Sequence, residues 1–310
     1  MKIDQHFHTI LSDGTNSSEE LLERIEKNQY HILVATEHDI INHEFSNNLA
    51  KLWFPKVEWV EISINDSFKE IKKYTGRNSF HMIYYKQEIL WELISILEKT
   101  CKGRQIKLDA QIDKLEKYGF NISKENFYKH RELEIPGKSI TSYNVLFLAK
   151  YIYLEEENKR KVTSIFGKEV SWLEFLRECL LSHGKFAHIG VEQVEEYEPN
   201  LWIIANNIKW WILSIPHPNI TFKTVEDFLQ AGEMLIQKYP INAIEINTKA
   251  DEKRVKSILD FTKKNNLILT FGSDFHKGEG DETHGAFWET NPFVSQEILT
   301  ENYEKFLQKI

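Results

Sequence analysis

Cysteine is almost absent from this 310-residue chain: Cys101 and Cys179 are the whole complement. Two thiols outside every motif exclude a disulfide framework and make a reducing cytoplasm the expected compartment. The sequence also lacks any apolar run near the roughly 20 residues that a membrane span needs. Residues 1–9 contain no apolar signal-peptide core. A soluble, cytoplasmic protein with no membrane association is therefore expected. Excess positive charge is missing too, and the formal net charge of −8 argues against a protein that merely coats nucleic acid. No internal repeat and no low-complexity segment is found. What is present, 41% hydrophobic residues, suffices for a sizeable core in one large domain or one domain with an insertion.

Residues 1–94 alternate in a βα manner. Residues 1–9 read as a short strand, and Ser17 with Glu20 three positions on is a capping-box signature for a helix carrying Leu21, Leu22 and Ile25 on one face. A buried strand is expected at 31–35, and two more at 57–64 and 80–85. Such alternation predicts a parallel sheet or barrel with its chemistry at the carboxyl ends of the strands. Residues 95–185 read differently. Apolar residues such as Ile106, Leu108, Ile112 and Leu115, then Val145, Leu148, Ala149 and Ile152, recur at helical spacing, with Gly119, Pro136-Gly137 and Gly167 as punctuation. Strands are expected to resume at 185–189, 210–215, 243–247 and 267–271, with Thr224 and Asp227 capping a helix that ends near Tyr239. The domain plan is 1–94, a helical insertion at 95–185, and 186–310. The insertion holds 17 basic against 13 acidic residues, while the rest holds 22 against 34. The basic middle reads either as a solvated helical surface or as an attractor for an anionic substrate.

Where the apolar runs stop, histidines and carboxylates gather: His6, His8 and Asp13; then Thr36-Glu37-His38-Asp39; then Gly272-Ser273-Asp274-Phe275-His276. Imidazole nitrogen and carboxylate oxygen are the ligands expected for Zn²⁺, Mn²⁺ or iron, and strand ends hold them rigidly at one mouth. This pattern points to a multinuclear metal site and hence to hydrolysis. Glu61, set within Val60-Glu61-Ile62, would be a costly buried charge without a cation. His31, His130 and His183 stand alone and read as surface or structural residues.

In order along the chain, HFHTILSDG, ATEHD, WVEIS, FHMIYY, SIPHPN and FGSDFH resemble the motifs of the PHP (polymerase and histidinol phosphatase) metallophosphoesterases. The likeness points to the branch of stand-alone nucleoside 3′,5′-bisphosphate phosphatases and 5′-3′ exoribonucleases. It implies a distorted (β/α)7 barrel with an inserted helical subdomain, and two to three divalent transition metals (Zn, Mn or Fe). Carried over position by position, His6 and His8 with Glu61 and Asp274 hold the first metal. Glu61 bridges to a second, held also by His81 and His217, and Asp13, His38 and His276 hold the third. His188, in Gly184-Lys185-Phe186-Ala187-His188-Ile189, competes with His217 but lacks the following proline that Pro216-His217-Pro218 supplies. The resemblance further implies hydrolysis of phosphate esters of nucleotides or short oligonucleotides by a metal-bound hydroxide attacking phosphorus in line. Asp39 is the catalytic candidate, as a proton carrier or as a group orienting His38. This branch grips a phosphate with a basic residue of the insertion. The matching segment, residues 135–142, lacks the expected arginine, so Lys138 is the nearest replacement, with Arg77 and Lys277 as further candidates. His43 and His284 are expected at the rim. Two alternatives stand beside this reading. One is a nuclease effector that needs a protein partner, for example an ATPase in a defence module, to which the acidic residues 192–198 and the unusual insertion are hints. The other is a non-catalytic scaffold, against which the complete ligand set counts.

Overall fold

Runs rich in Ile, Val, Phe and Tyr pleat into strands because branched and aromatic side chains fit a surface covered on both faces. The computed structural model describes residues 2–28, 30–52, 54, 57–64, 69–75, 80–86, 91–137, 145–181, 184–186, 197, 199, 201–207, 211–278, 284–287 and 289–310. Among these are seven strands: β1 Ile3–Phe7, β2 Ile32–Ala35, β3 Glu58–Ile64, β4 Phe80–Lys86, β5 Ile212–Ile215, β6 Ala243–Asn247 and β7 Ile268–Gly272. Every position of β1, β5, β6 and β7 is buried. Polar residues on these strands therefore face protein, not water.

The fold is mixed α/β. β1 and β2 form a parallel pair, and β3-β4-β5-β6-β7 form a five-stranded sheet in that order. β5, β6 and β7 are parallel, but β3/β4 and β4/β5 are antiparallel. This corrects the expectation of a uniformly parallel arrangement. Between β3 and β4 the described residues hold the short helix Lys69–Thr75, and a connection of that length permits either a return or a crossover, so alternation of elements left strand direction open. Ser63 lies opposite His81. β4 thus delivers His81 from its amino end, beside the carboxyl end of β3.

Backbone bonds from the histidine-rich motifs tie the pair to the sheet. The His8 N–H donates to Phe275 O (2.9 Å) and the Asp274 N–H to His6 O (2.7 Å). On the other side, Asp39 N–H donates to Glu61 O (2.9 Å) and Glu61 N–H to Glu37 O (3.1 Å). Because side chains alternate along a strand, Phe7 points away from His6 and His8. It packs edge-on against Phe45 and Phe287, whose ring centroids lie 5.6 and 4.9 Å away. Helix Ser18–Glu26 starts with the expected reciprocal capping box at Ser17, and Thr224 caps Val225–Lys238. Each such cap is worth about 1 kcal/mol.

The chain divides into two compact units, one of residues 1–10, 14–97 and 199–310, the other of 11–13 and 98–198. The second unit is helical, with Phe127, Leu148, Ile152, Val162 and Phe175 at its core. Its Arg131 is buried, stacked over Phe147 at 3.5 Å and paired with Glu134 at 2.5 Å. Lys185 and Phe186, expected to open a strand, form a turn instead. Phe186 is drawn into this helical core by Phe120 and Tyr118, and its N–H is taken by Cys179 O. Residues 187–189 of that expected strand lie outside the described residues. No helix among the described residues is long and apolar enough to cross a membrane.

Candidate metal centre

The strand period of two puts His6 and His8 on one face of β1. Their Nε2 atoms are 3.1 Å apart, and each lies 3.3 Å from Asp274 Oδ1. Glu61, wholly buried on β3, collects the remaining imidazoles. Its Oε1 is 2.8 Å from His81 Nδ1 and 3.3 Å from His217 Nε2. Its Oε2 is 2.9 Å from His38 Nδ1, 3.5 Å from His8 Nε2 and 3.7 Å from His6 Nε2. His276 stacks on His8 with ring centroids 4.4 Å apart, as His38 does at 4.6 Å.

Burial alone would raise the Glu61 carboxyl, but the charges of His38 and His81 and hydrogen bonds from His217 and His38 hold it well below the usual carboxylate range. Asp274 is likewise held low against its burial, chiefly by His6 and His8. His6 shows the converse: burial favours its neutral form, yet Glu245 and Asp274 raise it well above an ordinary histidine. Buried groups so arranged cost several kcal/mol unless each charge is matched. Cations suit the donor set. Imidazole nitrogens and carboxylate oxygens 2.8 to 3.7 Å apart are close enough to share ions at about 2.0–2.2 Å.

Backbone strain concentrates at the same place. Among the described residues, Asp39 (φ 56°), His217 (φ 28°), Asn266 and Asp274 (φ 54°) are the non-glycine residues with positive φ. Asn266 ends a helix, whereas the other three belong to the candidate ligand motifs. His217 is doubly unusual because Pro218 disfavours helical backbone before it. The conformation is held by its N–H on Glu245 Oε1 (3.0 Å), by its carbonyl accepting from Ile220 and Thr221, and by Nδ1 against Thr221 Oγ1 (3.0 Å). Strain of this kind costs about 1–3 kcal/mol and persists where surroundings enforce it, commonly at functional sites.

Of the residues expected at the site, His6, His8, His38, Glu61, His81, His217, Asp274 and His276 are brought together. His81 corrects one detail, since it comes from the start of a strand. Asp13 is half-buried in the turn that Gly14 N–H closes on Thr9 O, in the segment grouped with the helical unit. Asp39 is fully buried next to His38. Lys277 is exposed, and Arg77, Lys138, His183 and His188 lie outside the described residues. His43 pairs with Glu58 (2.8 Å) and His130 with Glu134. His284, expected at the rim, joins Asp274 and His276 in a group of candidate ligands.

Glu245 escaped sequence reasoning, and Glu37, though part of a motif, was given no role by it. Glu245 of β6 is fully buried and sits 2.7 Å from His6 Nδ1. Glu37 is fully buried too and accepts from Thr9 N–H (3.2 Å), the Thr9 hydroxyl and Asn42 Nδ2 (3.2 Å), joining the exits of β1 and β2. A signal for Glu245 existed: Ile244-Glu245-Ile246 sets an acid between buried apolar neighbours, as Val60-Glu61-Ile62 does.

No family model and no curated protein matches this sequence. Solved structures do match in fold. A protein from Bifidobacterium adolescentis, provisionally described as a metal-dependent phosphoesterase, superimposes with a TM-score of 0.67 at 15% identity, over 96% of this chain and 94% of that one. An amidohydrolase from Chromobacterium violaceum, solved with bound sulfate and no metal, gives 0.65 at 17% identity over 98% and 97%. Both likenesses span nearly the whole of each chain and establish a shared fold.

Proposed function

We propose that the chain is a metal-dependent hydrolase of phosphate esters, built on a distorted (β/α)7 barrel of the PHP type and acting on nucleotides or short oligonucleotides. The observation that carries this reading is the environment of Glu61: one buried carboxylate with His81 and His217 on one oxygen and His38, His8 and His6 on the other. A carboxylate placed so would serve as the shared anion that cations need to lie close together. Backbone bonds from β1 to the residues after β7, and from the exit of β2 to β3, support closure of the seven strands into a barrel. The fold shared with the Bifidobacterium protein supports phosphoester chemistry, and the sulfate in the Chromobacterium protein is a tetrahedral anion of phosphate's shape.

His6, His8, Glu61 and Asp274 would hold one ion, and Glu61, His81 and His217 a second. His38 and His276 would hold a third, to which the motif resemblance also assigns Asp13. Such ions supply Lewis acidity and a water of lowered pKa. The chain's own residues do the rest. Glu245 fixes the His6 ring, the strained backbones aim Asp274 and His217 inward, and the Phe7, Phe45 and Phe287 rings keep water from beneath the cluster. Asp39 is proposed to steady His38 or to pass a proton, and Lys138, Arg77 and Lys277 to meet substrate phosphate.

The test is a panel of p-nitrophenyl mono- and diesters, nucleoside bisphosphates, 5′-labelled RNA and DNA, and N-acyl amides, offered to metal-loaded protein. Hydrolysis of a bisphosphate or a phosphorylated oligonucleotide is expected, and should be abolished by chelation and by Glu61→Ala. Full activity after chelation, or turnover of amides alone, would overturn the reading. Lys138→Ala, Arg77→Ala and Lys277→Ala should raise KM for nucleotides more than for small aryl phosphates, as loss of uniform binding does.

A further inference from the structure

The two oxygens of Asp274 face different ways. Oδ1 lies 3.3 Å from both His6 Nε2 and His8 Nε2, inside the cluster, whereas Oδ2 lies 3.9 Å from His284 Nε2, at the mouth. Ligand atoms that share an ion at about 2.0–2.2 Å can be at most about 4.4 Å apart, so Oδ2 and Nε2 are within reach of one cation. His276 closes the group. Its Nδ1 is held by Asp274 O at 2.7 Å, which leaves Nε2 as its donor, and its ring lies 4.4 Å from that of His284. One ligand atom from each of Asp274, His276 and His284 lies within 4.8 Å of the others.

The position of His284 is built, not incidental. The next residue, Gly285, donates its N–H to Ser273 O at 2.6 Å. A side chain at Gly285 would collide with the Thr248 hydroxyl and come within 3.0 Å of Ser273 O. Ser273 is itself bonded through its N–H (3.0 Å) and hydroxyl (2.6 Å) to Asp4. His284 is thereby registered to Asp274 through the Gly285–Ser273 backbone bond and the hold of the Asp4 carboxylate on Ser273.

We infer that Asp274, His276 and His284 form the subsite of the third divalent cation, at the rim, with Asp274 bridging it to the inner ions and His284 as a ligand beyond the set the motifs supply. This rests on the metal-dependent reading above. Purified full-length protein, stripped by chelation, is titrated with Mn²⁺ by calorimetry and with Co²⁺ by visible absorption, as wild type, His284→Ala and His284→Asn. The His284 side chain is 31% exposed, so neither change should empty a core.

The expected result is that one class of Mn²⁺ sites loses about tenfold or more in affinity in both variants while the tighter class is retained. The Co²⁺ band should change intensity as a nitrogen ligand is lost. Unchanged affinities and an unchanged Co²⁺ spectrum in a natively folded variant would overturn the rim subsite and leave the metal reading intact. Loss of every site in a folded variant would also overturn it, by making His284 part of the inner cluster. A wild type that takes up neither Mn²⁺ nor Co²⁺ would overturn the underlying reading, before any variant is compared.

Discussion

Glu245 Oε2 lies 2.7 Å from His6 Nδ1, and both side chains are wholly buried. A carboxylate only accepts, so that nitrogen carries the proton and Nε2 is turned to the cluster. Partners of this kind fix the tautomer and raise the basicity of a metal-binding imidazole. Glu245→Gln keeps the shape but loses the charge, and should weaken metal binding about 10- to 100-fold, read by competition with a chelator. Unchanged affinity would reduce Glu245 to a packing role. Asp39 presents a different question at the same scale. Its backbone N–H already binds Glu61 O, and its φ is one that Asn also adopts. Asp39→Asn therefore preserves the turn. If the carboxylate moves a proton, kcat should fall by about 10²-fold or more with KM little changed; a fall under threefold would leave only the backbone role.

Between elements, close approach decides what fits. At the end of β7, a Cβ on Gly272 would collide with the His6 side chain and lie 2.8 Å from Glu245 Oε2. Gly272→Ala should accordingly displace His6, lower stability by about 1–3 kcal/mol as overpacking does, and impair metal uptake. Thermal unfolding with and without Mn²⁺ checks both effects. The turn after β5 permits a cleaner separation of strain from ligation. His217→Gly relieves the positive φ while removing the imidazole, so with metal stripped from both it should unfold near the wild-type temperature, yet lose most activity when metal is supplied. His188→Ala should stay near wild type. The reverse pattern would move the second metal to His188.

Over the whole molecule, a cluster of buried imidazoles and carboxylates joins strands far apart in sequence: His6, Glu61, His81, His217 and Asp274 come from β1, β3, β4, the turn after β5 and the turn after β7. Ions bound there would bind the native state alone and stabilise it by mass action. At a free concentration of about 100 Kd the gain is about 2.7 kcal/mol. For a chain of this size that raises Tm by roughly 5 °C. Scanning fluorimetry of stripped and reloaded protein should show this, and Glu61→Ala should abolish the difference. A Tm indifferent to Mn²⁺, Zn²⁺ and chelator would speak against a built metal centre.

Most of the candidate site was legible along the chain because its candidate ligands lie in short motifs where apolar runs end, and because burial of Glu61 between Val60 and Ile62 is written in its neighbours. Strand periodicity likewise determined that His6 and His8 share a face, and the signatures at Ser17 and Thr224 determined where two helices begin. Tertiary structure alone decided the rest. The direction of β4 depends on which strand edges meet, not on local pattern, and it is this direction that brings His81 to the cluster from the start of a strand. Phe186 became a turn residue of the helical core because aromatic partners distant in sequence surround it. The parts of Glu245 and His284 were set by packing across the strands: an acid 239 residues from His6 becomes its partner only when β1 and β6 are assembled, and His284 faces Asp274 only when Gly285 is clamped to Ser273.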